Sequence, residues 1–225
     1  MAARGDKRES ILDAAIRVFA RQGFHQSRVA DIAREAGVAD GTIYIYFKHK
    51  EDILIAIFEE KMALVLQKLR AELADVLDPA ERLRTFISYH LTQVMQNREL
   101  SEILQVELRL SNKFMKEYVP VRLTEYLDVI AEIIVEGQRQ GKFRTDISPA
   151  VMKRAIFGAL DELAMHWVLT RGRRPDLQAS AAQLAAVFLS GISCGGDSKP
   201  SAVHPISSMS LDETSTVPST TGGQT

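Results

Sequence analysis

The sequence predicts an all-α fold: a three-helix N-terminal unit containing a helix-turn-helix, followed by a larger helical domain. Three observations support this. Apolar residues recur at three- and four-residue spacing along almost the whole chain, and no convincing run alternates apolar and polar residues as a half-buried strand would. Glycine, proline and asparagine interrupt the helical stretches at positions where helices end. No segment repeats at a fixed period, which disfavours a solenoid. With 225 residues, 46% hydrophobic and 25% charged, the chain has the composition of a globular protein with a sizeable core.

In order, Ile11, Ala14, Ala15, Val18 and Phe19 give a first amphipathic helix over about 7–22, with Gly23 placed to end it in a left-handed cap. Ser27 is predicted to cap a second helix whose stripe is Val29, Ile32, Ala33 and Ala36, closed by Gly37. Asp40 is predicted to cap a short third helix with Ile43 and Phe47 on its inner face. From Glu51 a long stripe runs from Ile53 to Val76 and stops at Asp78-Pro79, where the proline suits the first turn of the next helix. Further helices are predicted over about 80–96, 99–112, 115–140, 149–170 and 177–193. The resulting division is 1–50, 51–193 and a Gly/Ser/Thr/Pro-rich tail, 194–225, predicted to be disordered.

Composition excludes several classes. No stretch approaches the roughly 18 to 20 uncharged apolar residues that span a bilayer. The charged start, Met1 to Glu9, lacks a secretory apolar core, and a single cysteine, Cys194, suits a reducing compartment, so a cytoplasmic location with no membrane partner is expected. The five histidines are scattered, so no metal site is expected and no resident cofactor. No nucleophile, base and orienting acid fall in a convincing arrangement, and His90 and His166 read as structural, which argues against an enzyme. Net charge is −1, yet residues 1–50 hold nine Lys/Arg against six Asp/Glu, which permits a nucleic-acid face at that end.

A bihelical reader of DNA needs an apolar inner face, a sharp turn and a second helix whose outer face enters the major groove. Residues 29–38 supply the first helix and turn, and 40–47 the second, with Thr42 and Tyr44 outward and Lys48 and Lys50 following to meet phosphates. By spacing alone a plain helical hairpin fits equally well. The wording of the segment goes further. Ala15 to Phe24 reads A-x-x-x-F-x-x-x-G-F, Val29 to Val38 reads V-A-D-I-A-x-x-A-G-V, and Gly41 to Leu54 reads G-T-I-Y-x-Y-F-x-x-K-E-D-I-L. This resembles the N-terminal signature of the TetR family of one-component regulators. The resemblance implies a dimeric repressor with a helical ligand domain, and places Ser27 and Arg28 on phosphate. It also implies that Gly41, Thr42 and Tyr44 contact bases and phosphate, and Tyr46, Lys48 and Lys50 the flanking backbone. Ile45 departs from the aromatic residue common there, leaving an apolar contact.

Two further segments, Glu102 to Asn112 and Phe157 to Val168, resemble the FadR-type branch, whose members are released from DNA by long-chain acyl-CoA. An acyl chain needs an apolar tunnel, for which Phe86, Met95, Leu104, Leu108, Phe157, Met165 and Trp167 are candidates, although helical spacing suits a plain core as well. A CoA headgroup needs cations, and Arg98, Arg109, Lys113, Lys116 and Arg122 lie close together, with Asn112 a further polar candidate. Another hydrophobic effector or drug remains the alternative. Ala155, Gly158, Ala159 and Glu162, with Ala181, Leu184, Ala185 and Phe188, are expected to form a four-helix dimer seam, and a two-fold dimer implies a palindromic operator. The long fourth helix is the expected transmitter of the ligand signal.

Overall fold

The computed structural model describes residues 4–194; the predicted tail beyond Cys194 lies outside the described residues. Helix α1 (Arg4–Gln22) ends at Gly23, whose φ of +76° provides the left-handed cap expected of it. Helices α2 (Val29–Ala36) and α3 (Asp40–Tyr46) follow, joined by a turn in which Gly37 takes φ +67°. Both helices begin differently from expectation. Arg28, not Ser27, is the N-cap of α2, and its backbone N–H donates to the Asp31 carboxylate at 3.2 Å. Ala39, not Asp40, is the N-cap of α3, and Asp40 lies in the first turn, where its charge complements the helix dipole.

Helix α4 (Lys50–Leu73) stops about a turn earlier than its apolar stripe suggests. The Arg82 guanidinium donates to the carbonyls of Leu73 and Val76, each at 3.3 Å, and so supplies partners that further helix would have supplied. Helix α5 (Pro79–Gln96) is capped by Asp78, which accepts from the N–H groups of Ala80 and Glu81 at 2.8 and 3.1 Å.

The next stretch departs most from a simple helical reading. Helix α6 (Arg98–Glu102) runs into a π-helical turn (Ile103–Glu107) and then a short α7 (Leu108–Leu110). The predicted helix over 115–140 is two helices, α8 (Asn112–Lys116) and α9 (Val121–Arg139). Pro120 lies at the break: it lacks an N–H and drives the residue before it towards extended geometry. Helices α10 (Pro149–Leu169) and α11 (Leu177–Ile192) complete the fold.

A single hydrophobic core runs without interruption from Ile11 to Ile192. Ile43 and Phe47 of the helix-turn-helix share it with Ile53, Leu54 and Ile57 of α4. Helix α11 packs against α5 and α10 against α9. In consequence Ala181 and Ala185, expected at a dimer seam, are buried within the subunit, and α11 presents Ala182, Ala186 and Val187 outward instead. On α10, Ala155, Gly158 and Glu162 are exposed.

Candidate functional site

The outer face of α3 carries Gly41, Tyr44 and Ile45, with Lys48 just beyond its end; Tyr44 and Ile45 are 58% and 64% exposed. Such large apolar surface on a seven-residue helix is a cost in water that a DNA groove would relieve. Thr42 and Tyr46 are half-buried, the latter against the core, and Arg28 is exposed at the start of α2. Helix α2 is tied to α1 by Glu35, which accepts from Arg17 at 2.8 Å and Arg21 at 2.6 Å.

Two residues read from the resemblance as phosphate contacts are turned inward. Ser27 is 3% exposed and its hydroxyl donates to the Gly23 carbonyl at 2.6 Å. The Lys50 ammonium donates to the carbonyls of Phe24, Ser27 and His25 at 2.5, 2.9 and 3.2 Å and lies 4.4 Å from the centre of the Phe24 ring. Partial burial lowers its pKa. Lys50 therefore pins the loop between α1 and α2, because those carbonyls belong to no helix and need a donor.

The same loop is gripped from the other side. Glu107, last residue of the π-helical turn, accepts a hydrogen bond from the Phe24 backbone N–H at 2.9 Å. Lys113 of α8 pairs at 2.6 Å with Asp52 of α4, which also accepts from the His49 N–H at 2.9 Å. These hydrogen bonds hold the Asp52 carboxyl below its ordinary range against the opposing effect of burial. Glu107 and Asp52 were not among the residues singled out from sequence.

A cavity of about 400 Å³ lies among α4, α5, the π-helical turn, α8, α9 and α10. Its wall is largely apolar, built from Phe58, Met62, Val65, Val94, Leu100, Phe114 and Leu123, with Leu104, Leu108 and Phe157 as anticipated. Arg109 also lines it, held by a two-pronged bond to Asp161 at 2.7 and 2.6 Å and by the Gln105 side chain at 2.9 Å. Other anticipated residues do not reach the wall. Phe86 lies fully buried behind it against Tyr126, ring centres 5.0 Å apart. Trp167 is covered by the Arg174 guanidinium at 4.9 Å, and Met95 packs on the core. Met165 is half-buried and Lys116 exposed, neither in the wall, and the Asn112 side chain lies outside the described residues. Helical spacing identifies a buried face but not which of two neighbouring interiors it meets. Lys113 and Arg122, considered for a headgroup, are paired with Asp52 and with Glu125.

With this geometry in view, similarity to known proteins is decisive. The pattern of "Bacterial regulatory proteins, tetR family" matches residues 11–57, and that of "YsiA-like protein, C-terminal region" matches 58–191. The chain belongs to the TetR family. This TetR-family chain is 37% identical over 182 residues to the fatty acid metabolism regulator protein of Bacillus subtilis, a match covering 81% of this chain and 93% of that protein. Its fold is similar to that of the fatty acid degradation regulator FadR from Bacillus halodurans, with TM-score 0.78, 36% identity, and coverage of 84% of this chain and 98% of that one. It is similar also to FadR from B. subtilis in complex with stearoyl-CoA, with TM-score 0.76, 36% identity, and coverage of 82% and 98%. These relatives are transcriptional regulators. No described helix is long and apolar enough to cross a membrane.

Proposed function

We propose that this protein is a cytoplasmic, homodimeric, non-enzymatic repressor that leaves a palindromic operator when a long-chain acyl-CoA fills its cavity. In this reading residues up to about 50 read DNA, and the rest bind ligand and dimerise through α10 and α11. Tyr44, Thr42 and Gly41 would meet the groove, with Arg28, Tyr46 and Lys48 on the flanking backbone; Ser27 and Lys50 shape the loop that supports them. The observation that carries the reading is the two-sided π-helical turn. Leu104 and Gln105 of that turn form cavity wall while Glu107 of the same turn holds the Phe24 N–H of the DNA-reading unit.

The cavity volume falls within the roughly 300 to 1,000 Å³ typical of small-molecule sites. Each acyl CH₂ it buries contributes about 0.8 kcal/mol. Arg98 and Lys116, exposed and without an ion-pair partner among the described residues, each adjoin a wall residue and suit the phosphates of CoA. Ligand and operator then oppose one another through a coupling of about 1 to 3 kcal/mol, or roughly 5- to 150-fold. π-Helical turns occur frequently at functional sites, and this one touches both the cavity and the Phe24 loop, which favours it over α4 alone as the transmitter.

The test uses the full chain and a palindromic duplex selected from a random library. Stearoyl-CoA should release the duplex in a fluorescence-anisotropy titration, and free CoA should not. Operator affinity unchanged at saturating stearoyl-CoA would refute the proposal.

A further inference from the structure

His90, on α5, forms part of the cavity wall beside Tyr126, Phe157 and Asp161. Its Nδ1 lies 2.9 Å from the Tyr126 hydroxyl, while its Nε2 is enclosed and has no hydrogen-bond partner among the described residues. Burial pulls the imidazole down to about 4 and pushes the Tyr126 phenol up, so both are neutral at pH 7. Two proton arrangements are then available. With the proton on Nδ1, the imidazole donates to the phenol oxygen, and both the phenol hydrogen and the Nε2 lone pair go unspent. With the phenol donating to Nδ1, the proton sits on Nε2, and only that N–H is unspent. Enclosed polar groups without partners are costly, so the second arrangement is the stable one.

The wall therefore contains a neutral N–H donor in a mainly apolar cavity. Around it, both Asp161 oxygens accept from Arg109, which also holds Gln105, while across the cavity the Tyr118 hydroxyl is a second enclosed group with no hydrogen-bond partner among the described residues. An enclosed donor without a partner favours a ligand that brings an acceptor. The hydrocarbon part of an acyl thioester has none, and the charged CoA phosphates belong in water or beside cations. The acceptor that travels with the chain into an apolar site is the thioester carbonyl oxygen. We propose that His90 Nε2–H donates to this carbonyl oxygen, making His90 a specificity-determining residue that reads the acyl linkage while the apolar wall reads the chain. The assignment rests on the acyl-CoA reading above.

The test compares stearoyl-CoA with S-octadecyl-CoA, the thioether of equal chain length that lacks the carbonyl oxygen, by calorimetric titration of the full chain. The wild type should favour the thioester about tenfold, the worth of one hydrogen bond. His90→Leu should bind both ligands alike, and His90→Gln, which keeps an N–H donor, should retain part of the preference. A measurement on the wild type avoids dependence on variant folding: with ¹⁵N-labelled histidine, Nε2 should be the protonated nitrogen at pH 7 and should shift with stearoyl-CoA but not with the thioether. Equal binding of both ligands by the wild type, full preference in His90→Leu, or an unprotonated Nε2 would overturn the assignment and leave the acyl-CoA reading standing. A wild type that binds neither ligand overturns both.

Discussion

Replacing Glu107 tests the proposed route from the cavity to DNA. Its carboxylate accepts from the Phe24 N–H at 2.9 Å across 83 residues of chain, and the bond is partly buried. A hydrogen bond to a charged group contributes about 1.5 to 3 kcal/mol and a neutral one about 0.5 to 1.5. Glu107→Gln keeps an acceptor and loses the charge, at a cost of about 1 kcal/mol; Glu107→Ala loses the bond and leaves the N–H unpaired, at about 2 kcal/mol. In the proposed dimer there would be two such contacts, one per subunit, and their effects would add if the two sites act independently. If the contact belongs to the operator-binding conformation, affinity should fall about 30-fold for the Gln variant and about 1,000-fold for the Ala variant. Stearoyl-CoA binding to the DNA-free protein should hold or tighten, because the state proposed to oppose it has been weakened. The assays are anisotropy with labelled operator, calorimetry without DNA, and a melting curve to establish folding. Operator affinity of Glu107→Ala within threefold of wild type, with ligand release unchanged, would refute the coupling route.

Four further outcomes are expected from the geometry. Lys50→Met removes three bonds to loop carbonyls and should lower the melting temperature by about 4 to 8 °C, for a loss of about 2 kcal/mol, whereas Tyr44→Ala should melt like wild type and bind operator at least tenfold more weakly. Gly137→Ala should be strongly destabilising, by about 3 kcal/mol, because a Cβ there would overlap the buried Phe143 ring; denaturant unfolding would measure it. His90 has its pKa depressed on folding to about 4, so below the unfolded value near 6.5 only the unfolded chain takes up the proton. Stability should therefore fall by about 2 kcal/mol from pH 7 to pH 5, and unfolding curves of His90→Gln should lack that component.

Much of the fold was legible because its signals are local. Gly23 and Gly37 take the left-handed geometry that helix ends favour, and Asp78 and Asp176 cap α5 and α11 with their own carboxylates. Ile43 and Phe47 face the core as their spacing requires. Structure and expectation part where a local preference meets a distant partner. Ser27 has the chemistry of an N-cap, but its hydroxyl reaches back to Gly23, because the loop must first turn under Lys50. Lys50 comes after an exposed tyrosine-rich helix and reads as a phosphate contact, yet the three carbonyls that claim it come from a loop more than twenty residues earlier. Half of a helix's apolar face can meet a cavity and half a solid core: Phe157 does the first and Trp167, ten residues on, the second.

The segment from Ile103 to Leu110 explains why the contact between Glu107 and Phe24 was the least legible feature. Read as a regular helix, its residues advance by roughly 100° each, and a single apolar face suffices to describe it. The π-helical turn inserts an extra residue into that count and rotates the residues after it relative to those before it. The outcome is a segment that sends Leu104, Gln105, Leu108 and Arg109 to the cavity while Glu107, set among them, points to Phe24. The two assignments depend on the same inserted residue. Ligand that presses on Leu104 or Leu108 hard enough to restore regular winding would swing Glu107 away from the loop by up to about 100°, the angle one residue takes. A bond made at 2.9 Å does not survive such a rotation, because hydrogen bonds weaken steeply outside a narrow range of distance and angle. In the proposed mechanism, the irregularity that hides the contact from a periodicity argument would therefore give one short stretch of chain two alternatives, one compatible with the loop held by Lys50 and one not.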